Sequence, residues 1–152
     1  MSAVRFLIPR SAGKTRLTSA TLEVLDEELV TIPILGWTVA GEPIQMALDF
    51  DTIQVPRSLV KKETFALRVK GNSMIDEGIE DGDIVIIERR STAENGESVI
   101  VRINGDEVTM KKLYIEREGV RLQPANPDME PIYIRNQDIE ILGIVKGIVR
   151  QP

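Results

Sequence analysis

Ser73 stands where a β-rich stretch ends at Gly71 and a short helical turn begins. A hydroxyl at such a junction can act as a nucleophile, because nearby backbone N–H groups can hold an oxyanion. A nucleophile needs a base, and the sequence contains no His and no Cys. Their absence removes Ser-His-Asp and Cys-His systems, Cys/His zinc sites, CxxC redox motifs and disulfides. The base must then be Lys, a carboxylate, Tyr or a terminus. Lys111 and Lys112, adjacent in Glu107-Val-Thr-Met-Lys-Lys-Leu113, are the candidates. On a strand they point to opposite faces, Lys111 with Thr109 and Leu113, Lys112 with Val108 and Met110. Parity alone does not choose between them. A lysine base works only as the neutral amine; bringing an ordinary one to neutral pH costs roughly 4 kcal/mol of differential solvation, which an apolar pocket can supply. Plainer readings stand beside these. Ser73 with Asp76 also fits a helix N-cap, and either lysine fits a strand-edge charge. Gly13-Lys14-Thr15 resembles the end of a P-loop, but Ile8 occupies the position of its first glycine, so that reading fails.

These residues must be positioned by a chain of 152 residues, enough for one core, or one domain plus an arm. Hydrophobic residues at 42% and charged residues at 28% describe a globular protein, and a net charge of −5 argues against bulk attraction to nucleic acid. The N-terminus lacks signal-peptide texture and no run reaches membrane-spanning length, so a cytoplasmic location without a membrane is expected. No cofactor and no metal is expected.

The first 31 residues differ in texture. Arg5, Arg10, Lys14 and Arg16 precede any acid, and Glu23, Asp26, Glu27 and Glu28 follow. This segregation reads as an arm or linker over residues 1–31, with a short helix around Thr21–Leu29. The basic part reads as a solvated tail or as a contact for a phosphate backbone. From Ile32 the pattern is one of short strands: Thr31–Leu35, Thr64–Lys70, Ile84–Glu88, Ser98–Ile103, Glu107–Leu113, Val120–Gln123, Ile132–Ile134 and Ile139–Val149. Asn104-Gly105 reads as a hairpin turn, and Pro124, Pro127 and Pro131 break the chain between strands. The fold class is therefore mostly β, one compact multi-stranded domain over 32–152 with a short N-terminal arm.

Four blocks then appear in order. They are Ile34-Leu-Gly-Trp-Thr-Val-Ala40-Gly41-Glu-Pro43-Ile44; Gly71-Asn-Ser73-Met74 with the Asp81-Gly82-Asp83 turn; Glu107-Val-Thr-Met-Lys111-Lys-Leu113; and Leu122-Gln-Pro124-Ala-Asn126 with Ile141-Leu-Gly-Ile-Val-Lys-Gly-Ile-Val149. Together they resemble the LexA-type Ser-Lys self-cleaving peptidases, which include LexA repressors, UmuD and related phage repressors. The resemblance implies a β domain of the LexA/signal-peptidase type. It implies Ser73 as nucleophile, Lys111 as general base, backbone N–H groups of Asn72 and Ser73 as oxyanion donors, and Ala40–Gly41 as the scissile bond in a cleavage loop over 32–45. It further implies a homodimer, and latent cleavage stimulated by a RecA filament on single-stranded DNA.

The N-terminal region departs from the pattern. A LexA repressor carries a winged helix-turn-helix before its linker, and residues 1–31 do not hold its three helices, which places operator binding in doubt. The Ala-Gly bond and the wording of the loop resemble LexA, whose role is SOS-response repression. The short stretch before the bond resembles UmuD, an accessory subunit of a translesion polymerase, although UmuD proteins usually cut at Cys-Gly. A non-catalytic interaction module that keeps the fold is the third reading.

Overall fold

The computed structural model describes residues 5–7, 28–39, 43–61, 63–71, 78–124 and 130–150. Ten strands follow in chain order: β1 (Arg5–Leu7), β2 (Leu29–Val39), β3 (Gln45–Pro56), β4 (Thr64–Lys70), β5 (Ile84–Arg89), β6 (Ser98–Ile103), β7 (Glu107–Ile115), β8 (Gly119–Gln123), β9 (Ile132–Arg135) and β10 (Ile139–Arg150). They form one sheet in the order β3-β2-β4-β5-β10-β6-β7-β8-β9, with β1 added to β10. The mostly-β class read from the sequence is the observed one.

Local sequence accounts for most of the elements. Ile84–Glu88 is buried throughout because β5 lies inside the sheet between β4 and β10. Asn104 and Gly105 adopt φ of 53° and 73°, the mirror-image turn that matches strand twist, and the Asp106 N–H closes it on the Ile103 carbonyl at 3.1 Å. In β4, the alternation of Phe65, Leu67 and Val69 with polar neighbours is broken by Ala66, which is fully buried. Ala66 packs with Ile32, Ile34 and Ile86 in a second cluster, so this strand has core on both sides.

Two features were not legible. Residues 5–7, read as part of the arm, form β1 against Ile148–Arg150. β3 carries no single strand period in its sequence. Its apolar residues occupy even positions at Met46, Leu48 and Phe50, then odd ones at Ile53 and Val55. The change of parity marks a register shift. Asp51 pairs with Ile34, but Met46 pairs with Gly36, so residues 47–50 oppose Leu35 alone. The expected helix at Thr21–Leu29 lies outside the described residues except for its end, and Leu29 opens β2.

Candidate active site

Lys111 lies on β7 with 8% of its surface exposed. Its Nζ donates hydrogen bonds to the Thr109 hydroxyl at 2.8 Å and to the Met110 carbonyl at 3.2 Å. Burial pushes the amine below the ordinary lysine range, and the Glu107 carboxylate pulls weakly the other way. Strand alternation puts Lys112 on the other face, half-buried, with Nζ 5.9 Å from the centre of the Tyr114 ring. Parity could not separate the two lysines. Among the described lysines only Lys111 is buried, and that burial lowers its proton affinity.

The edge of β7 at Lys111 is partly open. Leu113 donates its N–H to the Glu97 carbonyl on the β6 side, so even-numbered amides of β7 face the other way. There β8 pairs with Lys112 to Ile115 only. Before Lys112, the Val108 carbonyl instead accepts the Ile44 N–H at 2.7 Å. Ile44 lies three residues after Gly41. The segment read as a cleavage loop therefore joins β7 on the same edge as the Lys111 amine and the Met110 carbonyl.

Its other end is placed by the sheet. β2 and β4 run parallel, and their last pairings are Thr38 with Val69 and Val39 with Lys70. Both chains leave the sheet at the same end, one toward Ala40–Gly41 and the other toward Ser73. The Lys70 ammonium lies 4.3 Å from the Trp37 ring centre and ties the two strand ends together on one face. Val69 and Ile79, which flank residues 72–77, pack in one cluster with Met110, and Ile44 and Val108 lie against it. The described flanks of all three expected site segments thus meet at one core. Ser73, Asn72, Ala40 and Gly41 themselves lie outside the described residues.

A buried ion pair braces the far side of the serine segment. Asp83 is 2% exposed and receives Arg150 in bidentate form, Nε to Oδ1 at 2.9 Å and Nη2 to Oδ2 at 2.8 Å. Nη2 also donates to the Gly78 carbonyl at 2.6 Å. The hydrogen bonds to Asp83 raise the guanidinium's proton affinity further. The Asp83 carboxylate accepts the Glu80 N–H at 2.7 Å, and Gly82 and Asp83 exchange backbone bonds with Val69 at 2.8 Å. The Asp81-Gly82-Asp83 turn is legible in the sequence, but the role of Arg150 is not; it closes a mostly apolar strand that also carries Glu140 and Lys146. A charge at that position was the available signal.

Among the described residues no group of three or more His, Cys, Asp or Glu could hold a metal, and no helix is long and apolar enough to cross a membrane. Comparison with known proteins matches residues 33–146 to the family described as Peptidase S24-like. A LexA repressor of Syntrophobacter fumaroxidans is 43% identical over 142 residues, covering 93% of this chain and 68% of that protein. The LexA repressor of Caldicellulosiruptor saccharolyticus is 44% identical, covering 95% and 72%. That of Desulfitobacterium hafniense is 41% identical, covering 93% and 69%. The match spans every segment that converges on Lys111, and the chain belongs to the S24-like peptidase family, in its LexA-type branch of self-cleaving serine peptidases.

Proposed function

We propose that the chain is a LexA-like repressor and peptidase of the SOS response, which inactivates itself by cutting its own Ala40–Gly41 bond with Ser73 and Lys111. The observation that supports this most is the path of the cleavage segment. It leaves β2 beside the strand that leads to Ser73 and rejoins the sheet on the open edge of the strand that carries Lys111. In the cleaving state, an antiparallel continuation from the Ile44–Val108 bond would bring residue 42 opposite Met110 and the scissile pair to the Lys111 amine.

The chemistry follows from the residue types. Neutral Lys111 takes the proton of the Ser73 hydroxyl, and Oγ attacks the Ala40 carbonyl carbon while backbone N–H groups of Asn72 and Ser73 receive the oxyanion. The Lys111 ammonium then protonates the Gly41 nitrogen as the C–N bond breaks, which returns the amine to its neutral form. Water, deprotonated by the same amine, hydrolyses the Ala40 ester and restores Ser73. Because substrate and enzyme share one chain, the loop's effective concentration replaces a binding step. Small residues at 40 and 41 allow close approach.

The cleavage is latent and is stimulated by a RecA filament on single-stranded DNA, which favours the conformer with the loop in the site and Lys111 neutral. The protein acts as a homodimer in the cytoplasm. The relatives reported above bear the repressor's name, so we read the chain as LexA-like instead of UmuD-like. Ser73→Ala and Lys111→Ala each abolish self-cleavage at alkaline pH with folding intact by circular dichroism, and Lys112→Ala cleaves normally. An inactive Lys112→Ala beside an active Lys111→Ala would overturn the assignment of the base. Sedimentation equilibrium tests the dimer.

A further inference from the structure

A cut between Ala40 and Gly41 divides the sequence without dividing the sheet. β2 ends at Val39 and so belongs to the upstream piece, whereas its neighbours on either side, β3 and β4, belong to the downstream piece. With β3 it pairs antiparallel, from Leu29 opposite Pro56 to Trp37 opposite Gln45. With β4 it pairs parallel, from Ile34 opposite Ala66 to Val39 opposite Lys70. Both of its edges are thus engaged with the other piece. β3 stands at the end of the sheet and pairs with β2 alone among the described strands.

Side chains tie the pieces as well. Ile32 and Ile34 are each 4% exposed and share one cluster with Val55, Leu59, Ala66 and Ile86 from downstream. Glu28 accepts Arg57 twice, with its carboxylate from Nη1 at 3.1 Å and with its carbonyl from the backbone N–H at 2.9 Å. β1 gives the upstream piece a second attachment, against Ile148–Arg150, so departure requires both to let go. Removing β2 would uncover the shared cluster to water, leave the β4 edge unpaired and deprive β3 of its partner.

We infer that the upstream piece stays bound after the cut, with β2 serving the downstream piece as a noncovalent strand, so that separation is a distinct and slower step than cleavage. The inference rests on Ala40–Gly41 as the scissile bond. The new carboxyl end lies just beyond Val39, the last paired residue, so the cut removes none of these pairings. The slot between β3 and β4 is then a binding site for one extended segment, residues 29–39.

The test takes protein cut at alkaline pH, returns it to neutral buffer and passes it through size exclusion without denaturant. Co-elution is expected, with denaturing mass of the same peak showing two pieces. Trp37, the chain's sole tryptophan, reports the upstream piece, and its fluorescence anisotropy is expected to hold the uncut value until urea is added. Ile34→Ala takes a buried contact from that piece and is expected to raise its dissociation about tenfold or more. A second route is independent of self-cleavage. Ser73→Ala carrying the recognition sequence of a site-specific protease between Ala40 and Gly41 is nicked by that protease and run on the same column. Co-eluting nicked pieces beside a wild type that never cuts itself would sink the proposed function and support the inference. Elution of the upstream piece alone, an anisotropy that falls at the rate of the cut, or an Ile34→Ala chain that separates no more readily than wild type would each overturn it.

Discussion

Thr109→Val separates the charge of Lys111 from its position. The Thr109 hydroxyl accepts a hydrogen bond from the amine at 2.8 Å, and both residues are buried. An ammonium depends on such an acceptor more than an amine does, so the bond favours the protonated, inactive form. Valine keeps the shape of threonine and removes the acceptor. A hydrogen bond to a charged group contributes about 1.5–3 kcal/mol, and the neutral amine keeps part of that. A difference near the lower end, about 1.4 kcal/mol, corresponds to a tenfold change in protonation. The midpoint of self-cleavage against pH is therefore expected to move about one pH unit toward neutrality. Below the midpoint the rate rises by up to about tenfold. The Met110 carbonyl at 3.2 Å still orients the amine, so cleavage persists on the alkaline plateau. Rates from intact mass between pH 6 and 10 give midpoint and plateau separately. A midpoint that stays put or moves to higher pH would refute the claim that this hydroxyl holds Lys111 in its charged form.

The other predictions use the same groups. Glu107→Gln removes the carboxylate that raises the Lys111 proton affinity, so it also moves the midpoint toward neutrality. Glu107 is exposed, so the effect is smaller than that of Thr109→Val and fades as salt rises, which a salt series on the cleavage rate checks. Lys111→Met raises the melting temperature at neutral pH. The folded amine binds its proton less tightly than the unfolded one, so the wild type pays the full penalty below the folded value and recovers it as pH climbs toward about 10.4. The gap between variant and wild type therefore closes with rising pH, as calorimetry would show. Arg150→Ala leaves the Asp83 carboxylate buried without its cation and costs about 3–5 kcal/mol in urea denaturation. It also frees Gly78, so its remaining folded fraction cleaves more slowly.

The strands of the domain were readable where one rule dominated. β5 is a continuous apolar run, the β6–β7 turn carries Asn-Gly, and β4 spans Thr64–Lys70 as its composition indicated. β3 escaped because its apolar residues change parity across a bulge, and no single period fits all 12 residues. The lysine pair shows the limit at the site. Alternation placed Lys111 with Thr109, which the hydrogen bond between them matches, yet the burial that distinguishes Lys111 from Lys112 depends on sheet order. Arg150 and Asp83 are 67 positions apart, and their pairing depends on β10 reaching back to β5. Such contacts come from topology, which local pattern does not encode.

The most direct test is intact mass of the purified chain held across pH 6 to 10 with no other component. Alkaline pH should stand in for the activator by populating the neutral amine. Two fragments corresponding to residues 1–40 and 41–152, appearing faster as pH rises and absent in Ser73→Ala, are the predicted result. A single undivided mass at every pH, or cleavage at another bond, would contradict the account.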